Sequence, residues 1–192
     1  LFKNKPLGFT PGKRFQYCNS NYVLLGYIIE KVSGIKYEDF IRQSILVPLD
    51  MVNSGFEVDR NPLKNEAIGY EKTKPDPVKV DFYDMSFTYG AGNLCSTVDD
   101  LYKWDQALYT EKLVKKETLQ KMFTPYSEAI AYGYGWNGFT SDNSTFSYMN
   151  HSGGIFGFST FIYRDIKNHL VIILLSNEQE KNLANYLDLI HY

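Results

Sequence analysis

The clearest amphipathic stretch of the chain lies between residues 19 and 34. Leu25, Ile28, Ile29 and Val32 recur at i, i+3, i+4 and i+7, the spacing of one helix face. Asn19 or Ser20 can cap its start, and Gly34 can end it in the left-handed conformation. The stripe is expected to face the core. A second helix puts Tyr37, Phe40, Ile41 and Ile45 on one face and ends before Pro48. Between residues 51 and 92 the period is lost, and Pro62, Pro75 and Pro77 mark long connections with room for short strands. Ser96 or Thr97 opens a third helix, with Asp99 and Asp100 placed for a capping-box-like contact and Leu101, Trp104 and Leu108 as its inward stripe. A short helix carrying Leu119, Met122 and Phe123 follows.

Beyond residue 132 the pattern turns to aromatic and β-branched runs separated by turn residues. Runs at 132–139, 145–150, 157–164 and 170–176 read as strands, with residues 164 to 168 as a hairpin connection. Arg164 reads as a solvated residue at the end of that hairpin. Residues 179–191 return to a helical period through Leu183, Leu187 and Ile190. Helices, then an antiparallel meander, then a closing helix is an α+β order. Residues 1–131 form the helical part with its long loops, and 132–192 the strands and last helix of the same domain.

Composition narrows the function. At 192 residues the chain suits one domain of roughly 100–200 residues. Lys plus Arg total 20 against 22 Asp plus Glu, a formal charge of −2, which argues against a nucleic-acid partner. A hydrophobic fraction of 44% excludes intrinsic disorder. No apolar run approaches the roughly 18 residues needed to cross a bilayer. Cys18 and Cys95 make no disulfide framework and no C-x-x-C spacing; each reads as a small buried or half-buried residue. His151, His169 and His191 lie far apart without metal-ligand spacing, so neither metal nor cofactor is expected, and the last two read as surface residues.

Two stretches could carry chemistry. Tyr17 stands two residues before Asn19 at the entrance of the first helix, which by itself fits a packed aromatic followed by a cap. His151, Ser152, Gly153 and Gly154 precede a strand. Glycines there let backbone approach a ligand closely, and a turn with an exposed histidine explains them equally well.

Taken together, the two stretches resemble the serine β-lactamase-like and penicillin-binding-protein superfamily, in its class C β-lactamase, D-alanyl-D-alanine carboxypeptidase and esterase branch. The likeness rests on four ordered blocks. They are Tyr17-Cys18-Asn19 with Asn21-Tyr22-Val23-Leu24-Leu25-Gly26, Pro48-Leu49-Asp50-Met51, Gly90-Ala91-Gly92-Asn93-Leu94-Cys95-Ser96-Thr97 before Asp100, Leu101 and Trp104, and His151-Ser152-Gly153. The resemblance implies an antiparallel sheet flanked by helices, and a nucleophilic serine in a Ser-x-x-Lys motif that forms an acyl-enzyme. It implies Tyr17 and His151 as catalytic residues, Tyr17 as base or proton shuttle and His151 binding substrate or moving protons. It implies Asn19 on the substrate's amide carbonyl, and Ser152, Gly153 and Gly154 on the substrate, Gly154 donating its N–H to the oxyanion hole. A tyrosine with an ordinary pKa near ~10 needs a neighbouring cation for that work, and the motif lysine is the natural one.

The chain departs from this pattern. Its one Ser-x-x-Lys string, Ser33 to Lys36, follows the Tyr17 block at a helix exit, where Gly34 breaks the turn. The resemblance therefore places the first helix, first strands and nucleophile helix before Leu1. The chain reads as a C-terminal part, expected to hydrolyse nothing alone by this mechanism. His151, where many members carry lysine, favours an esterase, peptidase or amidase over an efficient β-lactamase. Expected partners are a small-molecule or peptide substrate (a β-lactam, a D-Ala peptide or an ester), and pairing with the absent N-terminal part or a second chain through an open sheet edge. The resemblance implies an extracytoplasmic or cell-envelope location. The other reading is a non-catalytic module of the same fold that binds peptidoglycan-like peptides.

Overall fold

A computed structural model of the chain describes residues 4–56, 66–73, 75–81, 83–126, 131–140, 145–179 and 182–189. In chain order the elements are α1 (Asn19–Ser33), α2 (Tyr37–Ile41) running into a π-helical turn (Arg42–Leu46), β1 (Gly55–Phe56), β2 (Tyr70–Glu71), β3 (Val78–Lys79) and β4 (Leu94–Cys95). Then come α3 (Val98–Ala107), α4 (Lys116–Met122), β5 (Asn137–Phe139), β6 (Tyr148–Ile155), β7 (Phe158–Asp165) and β8 (Leu170–Ser176). The last four strands form one antiparallel sheet in the order β5-β6-β7-β8, while β1 pairs with β4 and β2 with β3. This is the α+β arrangement expected, an antiparallel sheet with helices against it.

Helix α1 ends as expected. Gly34 takes φ 76° and its N–H bonds to the Glu30 carbonyl, a left-handed cap that costs a glycine little. Its start differs: the cap residue is Cys18, and Asn19 is already helical. Cys18 is exposed, not buried. The inward face differs too. Leu25, Ile28 and Val32 are 52%, 52% and 83% exposed, and Gly26 is the buried residue of the helix. Closeness of approach decides this: a Cβ on Gly26 would stand 2.7 Å from the Tyr89 ring, and one on Gly90 would stand 2.7 Å from the Tyr22 carbonyl. The missing side chains let the 89–91 turn seat against the Tyr22 and Gly26 side of the helix. Glu30 then bonds the Tyr37 N–H at 2.9 Å and ties α2 to α1.

Two core clusters meet at Trp104. Leu46, Leu49, Met51 and Ala107 form one, and Leu108, Leu119, Trp136, Phe146 and Met149 the other. Trp104 packs on both and stacks on Trp136 at 5.8 Å. Helix α3 opens at Thr97, whose hydroxyl accepts the Asp100 N–H. Asp100 does not return the capping bond. Its carboxylate accepts instead from the Asn53 N–H and the Ser54 hydroxyl, both at 2.8 Å, and pairs with Lys103 at 3.0 Å.

Arg164 is the largest departure from expectation: it is 0% exposed. Strand alternation puts it on the inner face of β7, where its guanidinium pairs with buried Asp105 of α3 and lies 4.7, 5.5 and 5.8 Å from the rings of Tyr109, Phe123 and Trp136. A cation enters a core only when its charge is paired and its flat faces find aromatic surface, and Arg164 has both.

The strand boundaries shift for a common reason, the extent of pairing. β5 begins at Asn137, because Tyr132 makes only an isolated bridge to Asn137 before the turn at Gly135. β6 extends through His151, Ser152, Gly153 and Gly154, since β7 continues to pair with it as far as Ile155 opposite Phe158. The closing segment is a 3₁₀ helix (Leu183–Leu189) with Leu183 buried, and Ile190 and His191 lie outside the described residues. His169 is exposed, as expected, and stacks on Tyr109 at 4.6 Å.

Candidate active site

The entrance of α1 and the middle of β6 converge. The Tyr17 and His151 rings are 5.8 Å apart, far closer than their separation along the chain suggests. Tyr17 also lies 5.6 Å from the Tyr22 ring and 6.1 Å from that of Tyr132, which packs on Phe15 at 5.2 Å. The five rings make a partly open aromatic cluster, with Tyr17 46% exposed.

Hydrogen bonds join three of the five. The Tyr22 and Tyr132 hydroxyls are 2.7 Å apart, the Tyr132 hydroxyl is 3.0 Å from Nε2 of His151, and Nδ1 of His151 is 2.8 Å from the Ser152 carbonyl. Asn19 is the first residue of α1, exposed and two positions from Tyr17. Ser152, Gly153 and Gly154 are exposed along β6. A Cβ on Gly153 would stand 2.5 Å from the Thr160 hydroxyl, so a side chain there would require that hydroxyl to turn away.

The backbone of this strand is half unpaired. β5 pairs with β6 only from Tyr148 to Asn150, whereas β7 pairs along its whole length. From His151 onward one edge of β6 has no partner strand among the described residues, so alternate N–H and C=O groups point out of the sheet beside Tyr17. The turn beyond is held rigidly. Phe156 and Gly157 take φ 32° and 87°, the two left-handed positions of a tight hairpin turn, and the Gly157 N–H bonds the Gln179 side chain at 2.8 Å. The Tyr70 N–H donates to the Gly157 carbonyl, and Tyr83 stacks on Phe156 at 4.1 Å.

The local electrostatics keep the Tyr17 and Tyr132 phenols protonated. Burial, then the neighbouring Tyr22 and Cys18, raise the Tyr17 pKa above the ordinary tyrosine value. Tyr132 is pushed far up, above all by burial. Among the described residues no cation offsets the rise at Tyr17. Nor is there, among these residues, a group of three or more His, Cys, Asp or Glu arranged to hold a metal ion. A groove of about 370 Å³ lies elsewhere, lined by Leu108, Tyr109, Leu119, Phe123, Phe146 and their neighbours. It contains none of the residues of the aromatic cluster.

Of the residues singled out from the sequence, Tyr17 and His151 are brought into one cluster, with Ser152, Gly153 and Gly154 on the adjoining open edge. Tyr22 and Tyr132, which complete the cluster, were not singled out from the sequence. Tyr22 stood within the helix-entrance block, where its hydroxyl left no pattern to read. Tyr132 belongs to a tyrosine- and glycine-rich run that looked like strand.

Comparison with known proteins gives a consistent result. The family model described as Beta-lactamase matches residues 1–190. Penicillin-binding protein 4* of Bacillus subtilis (strain 168) is 31% identical over 204 aligned residues, covering 90% of this chain and 42% of that protein. The crystal structure of a penicillin binding protein from Bacillus halodurans superposes with a TM-score of 0.82 over 97% of this chain and 59% of its own, at 21% identity, a likeness of fold. D-amino acid amidase from Ochrobactrum anthropi SV3, solved with D-phenylalanine, gives 0.71 at 28% identity over 87% of this chain and 52% of its own. The chain thus spans about 40% of the length of the curated relative and little more than half of the solved ones.

Proposed function

The chain belongs to the Beta-lactamase family, and on that footing we propose that it forms the tyrosine and strand side of an acyl-enzyme serine hydrolase site whose nucleophile lies outside these 192 residues. The observation that carries the reading is the approach of Tyr17 to His151 at 5.8 Å beside the unpaired edge of β6. A substrate lying along that edge meets backbone N–H groups, with Gly154 donating to the developing oxyanion. In this reading the Tyr17 hydroxyl exchanges a proton with an incoming nucleophile, and Asn19 holds an amide carbonyl. His151 and Ser152 contact the substrate's polar groups.

The internal Ser-x-x-Lys string is no nucleophile. Ser33 ends α1, and its hydroxyl lies 3.3 Å from the Ile35 N–H. The raised pKa of Tyr17 makes the same point from the other side of the reaction: without a cation beside it, it holds its proton. The lysine of a Ser-x-x-Lys helix packed against α1 would lower it. β-Lactams, D-amino acid peptides and esters are the substrate classes, and the amidase relative supports a D-amino acid. The site belongs on the envelope side of the cell. A second reading, a binding module that uses the open edge without chemistry, is favoured by the same raised pKa.

Intact-mass analysis after incubation with penicillin or a fluorophosphonate tests the first reading. The chain alone is expected to gain no adduct, and a stoichiometric one would overturn the assignment. In a longer protein that joins the chain to an upstream Ser-x-x-Lys segment, acylation is expected, and Tyr17→Phe should slow it by about 10²–10⁴-fold. No acylation there would favour the binding module.

A further inference from the structure

The hydroxyl chain beside Tyr17 has a direction that donor and acceptor counting settles. The Ser152 carbonyl can only accept, so Nδ1 of His151, 2.8 Å away, carries a proton. In the neutral imidazole Nε2 is then a bare lone pair, and the Tyr132 hydroxyl 3.0 Å from it must donate. Having spent its only proton, the Tyr132 oxygen accepts from Tyr22 at 2.7 Å. The order Tyr22 to Tyr132 to His151 to the Ser152 carbonyl therefore satisfies every group in the line. Tyr17, whose ring touches three of the residues, stays outside it.

From this arrangement, which rests on His151 being a site residue, we propose that Tyr132 is a positioning residue. Its hydroxyl occupies Nε2, holds the imidazole in one orientation and prevents neutral His151 from acting as a base. Tyr22 supports it by supplying the proton that Tyr132 accepts. Proton acceptance in the cleft is thereby left to Tyr17, and His151 serves substrate through its ring edge and backbone. Tyr132 enters from the segment before β5 and Tyr22 from α1, so the line also ties the helix entrance to β6 across the sheet.

Long-range proton–nitrogen NMR of the 192-residue chain, at a pH about two units above the ordinary imidazole value of ~6.5, reads the line directly. The His151 signals are assigned by comparison with His151→Gln. Expected is a protonated Nδ1, the less common form of free imidazole, with an unprotonated, hydrogen-bonded Nε2. Tyr132→Phe should move the Nε2 signal toward that of a free lone pair while Nδ1 stays protonated.

Diethyl pyrocarbonate, which attacks imidazole lone pairs, gives a second readout through peptide mass mapping. Tyr132→Phe should raise the reaction rate of His151 about fivefold and Tyr22→Phe about twofold, with exposed His169 unchanged as internal control. A purely structural role would move both histidines, or neither. A protonated Nε2 in the unsubstituted chain would overturn the proposal, as would a His151 that reacts as fast as His169. The first of these needs no variant to fold, and none of the measurements depends on acylation.

Discussion

Helices α1 and α3 invert one another. α1 is the more apolar of the two, yet Leu25, Ile28 and Val32 are 52%, 52% and 83% exposed and its buried residue is a glycine. α3 is studded with acids, yet Asp100 and Asp105 are 0% exposed. An amphipathic pattern records which face prefers to leave water, but burial needs a partner surface, and the partner of the α1 stripe is not among the described residues. Burial of an acid needs something different, a set of donors. Asp100 finds the Asn53 N–H, the Ser54 hydroxyl and Lys103, while Asp105 finds Arg164 within a ring of aromatic side chains.

The inversion has energetic consequences that substitution can break. The largest belongs to the Asp105–Arg164 pair. Arg164→Leu leaves a carboxylate without its cation in the core and is expected to cost about 3–5 kcal/mol, read from the urea midpoint. Arg164→Leu combined with Asp105→Leu should recover most of that loss, because the uncompensated charge goes with it. A mild effect of the single substitution would show that water reaches the pair and would erase the contrast between the helices.

Asp100 comes next. Burial works to raise its pKa, but the bonds from Lys103, Ser54 and the Asn53 N–H prevail and the net shift is downward. A folded-state pKa below the unfolded one means that, at a given acid pH, the native state binds fewer protons than the unfolded state. The stabilisation is complete above the ordinary carboxylate value of about 4 and is lost as pH drops through the depressed folded value. Asp100→Asn should remove this part of the acid sensitivity and cost about 1–3 kcal/mol at neutral pH. Chemical denaturation of both proteins at neutral pH and below about pH 4 checks the sign. Equal acid sensitivity would remove Asp100 from the account.

The smallest effect is expected where a sequence reader would look for the greatest. Leu25→Glu and Ile28→Glu, on the exposed stripe, should each change stability by less than about 0.5 kcal/mol. A loss of several times that would mean that the stripe is covered in solution, by a second copy or another part of the same fold. Concentration-dependent light scattering of the unsubstituted chain distinguishes the copy from the rest.

Much of the architecture was legible because it is written in local rules. Gly34 stops α1, Thr97 opens α3, and the four runs after residue 132 became four antiparallel strands. What was misread depended on neighbours distant in sequence. β6 is longer than its turn-like glycines suggested because β7 pairs with it to the end, and the last segment is 3₁₀ instead of α-helical. Arg164 looked solvated because nothing near it in sequence announces Asp105. Tyr17 and His151, which the fold brings within 5.8 Å of each other, stood out through their motifs. Tyr22 and Tyr132 did not, since a tyrosine in a helix or before a strand carries no mark of the hydroxyl it will meet.

By itself, then, the sequence determined the main helices and the four-strand meander, where α1 stops and α3 opens, and which four blocks carry the family's likeness. Those features follow from backbone freedom, capping and side-chain period, which act over a few residues. Tertiary structure decided which apolar face is buried, which charges enter the core, and which way the proton line from Tyr22 to His151 runs. Each of these depends on what stands within about 3 to 6 Å of a group in space. A pattern in one dimension states a residue's preference for a partner; only the folded chain supplies the partner.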